Sequence, residues 1–440
     1  HHHHHHHHHK QSSSSSSFQV EKKNSSKRSF KRSRRQHVFG TRMMMMMMRD
    51  TCVLVKSSFS KTRTTTRTTR TTRTKSSSSS KEVSKSDILY AHVENAEHDS
   101  LGHPECAARI PAILEKLEND SEFFLERKKD QSIVLLENPP LATVEDLVPL
   151  DIHSQNYMKS LEFLAKTKAP CQIDASTYMT PSSFEAALAS IGASNALVDA
   201  VLKGKTKTGF ALVRPPGHHA VVKGPMGFCL FNTAAAAVRY AQTQYPNDIK
   251  KVLVYDFDVH HGNGTNDIFA KDPTVLFVST HEDGSFPGTG KISDIGQDEG
   301  EGTNINVPLP TGAGEKSVLE AFDLVVEPAA RRFQPDFIVV SAGYDAHWRD
   351  PLANLNFRSR TYYYLSSRLK KLSEDLCDGK IVFLLEGGYD LTGLPEGVAE
   401  SFAALVGEKS LEQKDPGLFE EPFEKAKKVI QEVKSVHQLL

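Results

Sequence analysis

From residue 87 onward, short and uniformly apolar runs alternate with longer stretches whose apolar residues recur every three or four positions. The runs are Ile88–His92, Ser132–Leu136, Phe210–Val213, Val252–Phe257, Val275–Thr280, Ile305–Leu309, Phe337–Ala342 and Ile381–Leu385. Each is rich in Val, Ile, Leu or Phe, and several lack the polar alternation of a half-exposed strand. That pattern predicts strands covered on both faces, as in a parallel sheet. Helical patterns lie between them. Ser182 and Glu185 have capping-box spacing ahead of an apolar-periodic run that reaches Leu202. The segment Asn232–Tyr240 is alanine-rich and helix-prone. Phe423, Ala426, Ile430 and Val433 repeat at helical spacing and predict a C-terminal packing helix. The fold class that follows is α/β: one domain over residues 87–440, with an eight-stranded, mostly parallel sheet flanked by helices on both faces.

Composition changes the picture at the N-terminal end. The formal charge of zero hides a basic leader before an acidic body: residues 1–86 carry 20 Lys/Arg and 3 Asp/Glu, the remainder 34 and 51. The leader is low-complexity, with His1–His9, Ser12–Ser17, Met43–Met48, a Thr/Arg alternation from Thr62 to Thr74, and Ser76–Ser80. Its apolar residues are too sparse to offset the entropy of ordering, so disorder is expected. The histidine run reads equally as a purification tag or as natural low complexity.

An Arg/Ser/Thr-rich, acid-poor leader resembles a mitochondrial or plastid transit peptide, with a start within Met43–Met48. Lys27-Arg28 and Lys31-Arg32-Ser33-Arg34-Arg35 also fit a nuclear-localisation patch, or an arm that contacts nucleic acid or a protein partner. No stretch approaches about 18 consecutive apolar residues, so no transmembrane helix is expected. No secretory signal is apparent either. The five cysteines are scattered, without a Cys-x-x-Cys pair, and read as reduced thiols.

Ligands of open α/β sheets bind beyond the carboxyl ends of the strands. Four such ends carry polar chemistry here. The richest is Tyr-Asp-Phe-Asp-Val-His-His-Gly-Asn-Gly-Thr, from Tyr255 to Thr265. Asp258 and His260 stand at i and i+2, which in an extended chain points both to one side. An oxygen and a nitrogen aimed at one point suit a divalent transition metal such as zinc. A pair of surface polar residues at a strand end is the bland alternative. Ser341-Ala-Gly-Tyr-Asp-Ala-His347 offers Asp345 as a third ligand, and three ligands leave a coordination position open, as hydrolytic zinc sites require. His347 fits a loop-structural role better.

Arg214-Pro-Pro-Gly-His-His-Ala220 supplies adjacent histidines suited to general-base work near neutrality, with distinct partners for the two rings. Leu385-Glu-Gly-Gly-Tyr-Asp390 brings Tyr389 on a glycine turn, where its hydroxyl would face a developing oxyanion. Gly227-Phe-Cys229 and Ser285-Phe-Pro-Gly-Thr-Gly290 each put an aromatic on a loop, for a narrow slot or for core packing.

Together these motifs, in this order from residue 87 to about residue 407, resemble the histone deacetylase family within the arginase/deacetylase fold, nearest its class II branch. The resemblance implies zinc on Asp258, His260 and Asp345. It implies His219 as general base and then acid, His218 as its electrostatic partner held by Asp256, and Tyr389 polarising the acetyl carbonyl. Phe228 and Phe286, with Gly227, Gly388 and Leu352, would line the substrate channel, and Arg109 the acetate exit. A structural potassium site would draw on Asp256, Asp258, His260, Ser279 and Thr280.

The implied substrate is an acetylated protein, with an acetylpolyamine or other small acetyl-amide as the alternative. Asn263 departs from members with an aspartate beside the second histidine, which leaves His219 a weaker proton acceptor. Leu352 stands where polyamine-preferring relatives carry an acid. A binuclear manganese ureohydrolase is disfavoured, because Gly262 and His347 occupy positions where it needs carboxylates. A non-enzymatic acetyl-lysine reader is disfavoured by the complete set of catalytic residue types.

Overall fold

A computed structural model describes residues 86–412, 414 and 416–439. The leader expectations, from the histidine run to the targeting patches, fall on residues 1–86 and so lie almost wholly outside the described residues. Among the described residues, eight strands form one sheet: β1 (Ser86–His92), β2 (Ile133–Leu135), β5 (Thr206–Leu212), β6 (Val252–Asp256), β7 (Val275–Glu282), β8 (Asn304–Leu309), β9 (Phe337–Ala342) and β10 (Ile381–Leu385). Every apolar run named above supplies one of them. Their order is β2-β1-β5-β10-β9-β6-β7-β8, and each neighbouring pair is parallel. A small antiparallel pair, β3 (Cys171–Gln172) and β4 (Tyr178–Met179), had no apolar run to betray it.

Alternation along each strand feeds two cores. Val252, Val254, Phe337, Val339, Val382 and Leu384 face one layer, with the helices Ser183–Leu202 and Thr233–Gln244. Leu253, Tyr255, Ile338, Val340, Ile381 and Phe383 face the other, with Arg109–Asn119, Ser359–Cys377, Gly393–Leu405 and Phe423–Val436. Burial on both faces is why these strands read as unbroken apolar runs. Fully burying each such side chain contributes about 1.5–3 kcal/mol, so truncation to alanine at any of them would cost about 2–5 kcal/mol.

The helix Ser183–Leu202 is long and apolar enough to cross a membrane, but most of it is buried against β5, β1 and the neighbouring helix Thr233–Gln244. It is a core helix. Its predicted capping box does not form. Ser182 already has helical backbone angles (φ −90°, ψ −8°), and its Oγ pairs with Thr180 Oγ1 at 3.0 Å. An N-cap side chain needs an extended backbone to reach its amide. Asn232 has that geometry, and its Oδ1 accepts the Ala235 N–H at 2.8 Å. The C-terminal helix buries Ala426, Ile430 and Val433 as its spacing predicts.

Candidate active site

The four loops with polar chemistry follow β5, β10, β9 and β6, which are consecutive in the sheet. Their convergence is therefore a consequence of strand order. Asp258, His260 and Asp345 are buried, with one ligand atom from each lying within 4.8 Å of the others. His260 Nδ1 is 3.2 Å from Asp258 Oδ1 and 3.1 Å from Asp345 Oδ2. The second oxygen of each carboxylate is tied down by backbone: Gly387 N–H donates to Asp258 Oδ2, and Val259 N–H to Asp345 Oδ1, both at 2.9 Å. Two glycines permit the crowding. A Cβ on Gly387 would lie 2.1 Å from Asp345 Oδ2, and one on Gly227 (φ +53°) would lie 2.4 Å from His219 Cδ2.

The two histidine rings lie side by side, centroids 4.0 Å apart, with different partners. His218 Nδ1 meets Asp256 Oδ2 at 2.9 Å, and His219 Nδ1 meets Asn263 Oδ1 at 2.7 Å. Burial opposes a charge on His218, but Asp256, Asp258 and Glu386 outweigh it and push its pKa up to about 10. Burial, with His218 and His260 nearby, holds His219 well below the usual imidazole value. The two rings are thus pushed in opposite directions, His218 toward the cation and His219 toward the neutral base. Burial, then Asp345, raises the Tyr389 hydroxyl well above 10, so it stays a donor.

The donor set fits a divalent cation. Asp256, Asp258, Asp345, Asp350 and Glu386 are all buried, and the first three each place a carboxylate oxygen within 3.2 Å of a His218 or His260 ring nitrogen. Burial and the neighbouring Asp258 push Asp345 up to about 6, a sign of excess negative charge in a dry site.

Phe286 packs edge-on against His219 at 5.1 Å, and Phe228 edge-on against Tyr389 at 5.4 Å, so the aromatics flank opposite parts of the site. Leu352 is half-buried, and its N–H donates to Asp350 Oδ1 at 2.9 Å. Arg109 is fully buried behind Tyr389, 5.1 Å from the ring centroid, and donates to the carbonyls of Gly388 (2.7 Å) and Glu386 (2.6 Å). Ser279 Oγ pairs with His281 Nδ1 at 2.9 Å, and Thr280 Oγ1 with the Tyr255 hydroxyl at 3.1 Å. His347 is turned away from the three ligand atoms, with its Nε2 3.0 Å from Ser359 Oγ.

Several residues here carried no role in the sequence reading. Asp350 Oδ2 accepts the Tyr389 N–H at 2.8 Å. Glu105 Oε1 accepts from Arg214 Nε at 2.7 Å and from Arg109 Nη1 at 3.3 Å, tying the Arg109 helix to the histidine loop. Burial opposes the Glu105 charge, yet Arg214, His98 and Arg109 hold its carboxyl well below the usual range. The available signal was the position of each acid in the chain, Glu105 one helical turn before Arg109 and Asp350 three residues past His347.

The histone deacetylase domain model matches residues 103–405, which include every ligand and catalytic candidate above. The chain belongs to the histone deacetylase family. It is 46% identical over 372 residues to "Histone deacetylase 14, chloroplastic" of Arabidopsis thaliana, covering 82% of this chain and 86% of that protein. It is equally 46% identical over 366 residues to "Histone deacetylase 10, chloroplastic" of Oryza sativa subsp. japonica, covering 80% and 81%. The crystal structure of the HDA15 HD domain superposes with a TM-score of 0.70 at 32% identity, over 80% of this chain and 94% of that one. The chain is therefore a deacetylase-type hydrolase on the arginase/deacetylase fold, with class II-like relatives.

Proposed function

We propose that this histone deacetylase-family chain removes acetyl groups from Nε-acetyl-lysine in histones or other proteins, with zinc as its cofactor. The observation that carries the proposal is the meeting of Asp258, His260 and Asp345, with the His219 ring centroid 6.0 Å from that of His260. Those three residues would hold the ion, which when bound supplies Lewis acidity toward water and the acetyl carbonyl. The remaining work falls to side chains. With His219 Nδ1–H directed to Asn263 Oδ1, Nε2 is left as the acceptor of the attacking water's proton, which it returns to the leaving amine. His218, charged and anchored to Asp256, compensates the negative carboxylates. The Tyr389 hydroxyl donates to the oxyanion as it develops. Phe228 and Phe286 line the acyl-lysine stem, with Gly227, Gly388 and Leu352 beside them, and acetate departs past Arg109.

A structural potassium ion is proposed on Asp256, Asp258, His260, Ser279 and Thr280; Asp256 and Ser279 are cross-strand partners in β6 and β7. A plastid destination is supported by the names of the two plant relatives and by the transit-like leader. The test is acetate release from acetyl-lysine peptides and from acetylpolyamines side by side, with and without a zinc chelator. Chelator-sensitive turnover of the peptides supports the proposal. Turnover of the polyamines alone would replace it with the small acetyl-amide reading.

A further inference from the structure

Glu386 sits at the end of β10, fully buried between the histidine loop and the Tyr389 loop. Its Oε2 accepts the backbone N–H groups of Gly217 (2.6 Å) and His218 (3.1 Å), and its Oε1 accepts the Ser341 hydroxyl at 3.1 Å. Its main chain is tied as well, with its N–H on the Ala342 carbonyl at 3.0 Å and its carbonyl on Arg109 Nη2 at 2.6 Å. One residue thus joins the turn carrying His218 and His219, the strand leading to Asp345, and the turn carrying Tyr389. None of the proton transfers above uses it. Its carboxylate bonds directly to two backbone amides and a hydroxyl, directional partners that fix position, while the His218 ring acts on it only through space.

We propose that Glu386 is a positioning residue, setting the distance between the His218–His219 turn and the Tyr389 turn through the reach of its side chain. The catalytic consequence rests on the deacetylase reading, whereas the structural one does not. Glu386→Gln and Glu386→Asp separate reach from charge. Glutamine keeps the length: its carbonyl oxygen accepts both amides and its NH2 donates to Ser341 Oγ. Aspartate keeps the charge but withdraws it by roughly 1.5 Å, one carbon–carbon bond.

The experiment measures kcat and KM on an acetyl-lysine peptide, and hydrogen exchange of residues 214–220, for the full chain and both variants. Glu386→Asp is expected to fall about 10-fold or more below Glu386→Gln in kcat, with KM little changed in either. Exchange of 214–220 should quicken in Glu386→Asp only. The reverse order, with glutamine impaired and aspartate active, would overturn the proposal, as would unchanged exchange in Glu386→Asp. If the unaltered chain releases no acetate, the deacetylase reading fails, and the exchange comparison alone decides the role of Glu386.

Discussion

Gly387→Ala probes the site by adding one methyl group where the backbone tolerates it. Gly387 lies outside the left-handed region, so alanine costs little in conformation. Its N–H would still reach Asp258 Oδ2. The new Cβ, however, would stand 2.1 Å from Asp345 Oδ2 and 2.7 Å from Asp258 Oδ2, where ordinary contact begins near 3.4 Å. At least one carboxylate must retreat by about 1 Å, while Val259 N–H holds Asp345 by its other oxygen, Oδ1, and Gly387 N–H holds Asp258 by the crowded Oδ2 itself. A misplacement of that size costs on the order of 100-fold in rate, about 2.7 kcal/mol. The assay is zinc affinity by chelator competition, together with acetate release at saturating zinc. We expect zinc affinity to weaken about 10- to 100-fold and kcat/KM to fall about 100-fold, with cooperative melting preserved. Wild-type zinc affinity and turnover in Gly387→Ala would refute the reasoning.

Other outcomes follow from the same geometry. Tyr389→Phe should lower kcat by about 10²–10³ while zinc content stays constant; unchanged turnover would remove the hydroxyl from the chemistry. Asn263→Asp places a carboxylate against His219 Nδ1, so the acidic limb of the kcat/KM profile should move up by about 1–3 pH units, and an unmoved limb would contradict the assigned base. His153 donates from Nδ1 to the Val221 carbonyl at 3.0 Å and accepts the Asn232 N–H at Nε2, at 2.9 Å. Protonation would destroy the second bond. Burial accordingly lowers its pKa to about 4, so the stability it contributes is complete above about 6.5 and is lost as pH falls toward 4. Between pH 7 and 5 the unaltered chain should lose about 2 kcal/mol more than His153→Gln by chemical denaturation; parallel curves would contradict this.

Much of this was legible in the chain because burial on both faces of a parallel sheet writes itself as uninterrupted Val/Ile/Leu/Phe. Runs such as Val252–Phe257 and Phe337–Ala342 could be read directly, and strand ends gave the loops where Asp258, His260 and Asp345 reside. Strand order was not legible. Only the structure makes β5, β10, β9 and β6 neighbours, and that adjacency brings four loops to one point. The pair β3–β4 escaped notice because two-residue strands carry no period. Ser182 misled because capping depends on backbone angles that composition does not encode. Glu105, Asp350 and Glu386 went unassigned because a carboxylate in a motif does not announce whether it meets metal, arginine or backbone amides.

The most direct test is the zinc content of the full chain beside Asp345→Asn, after dialysis against a weak chelator, so that any ions on the histidine run count equally in both. The account predicts a difference of one zinc per chain, with acetate release lost alongside it. Equal zinc content in the two proteins, with turnover intact, would contradict it.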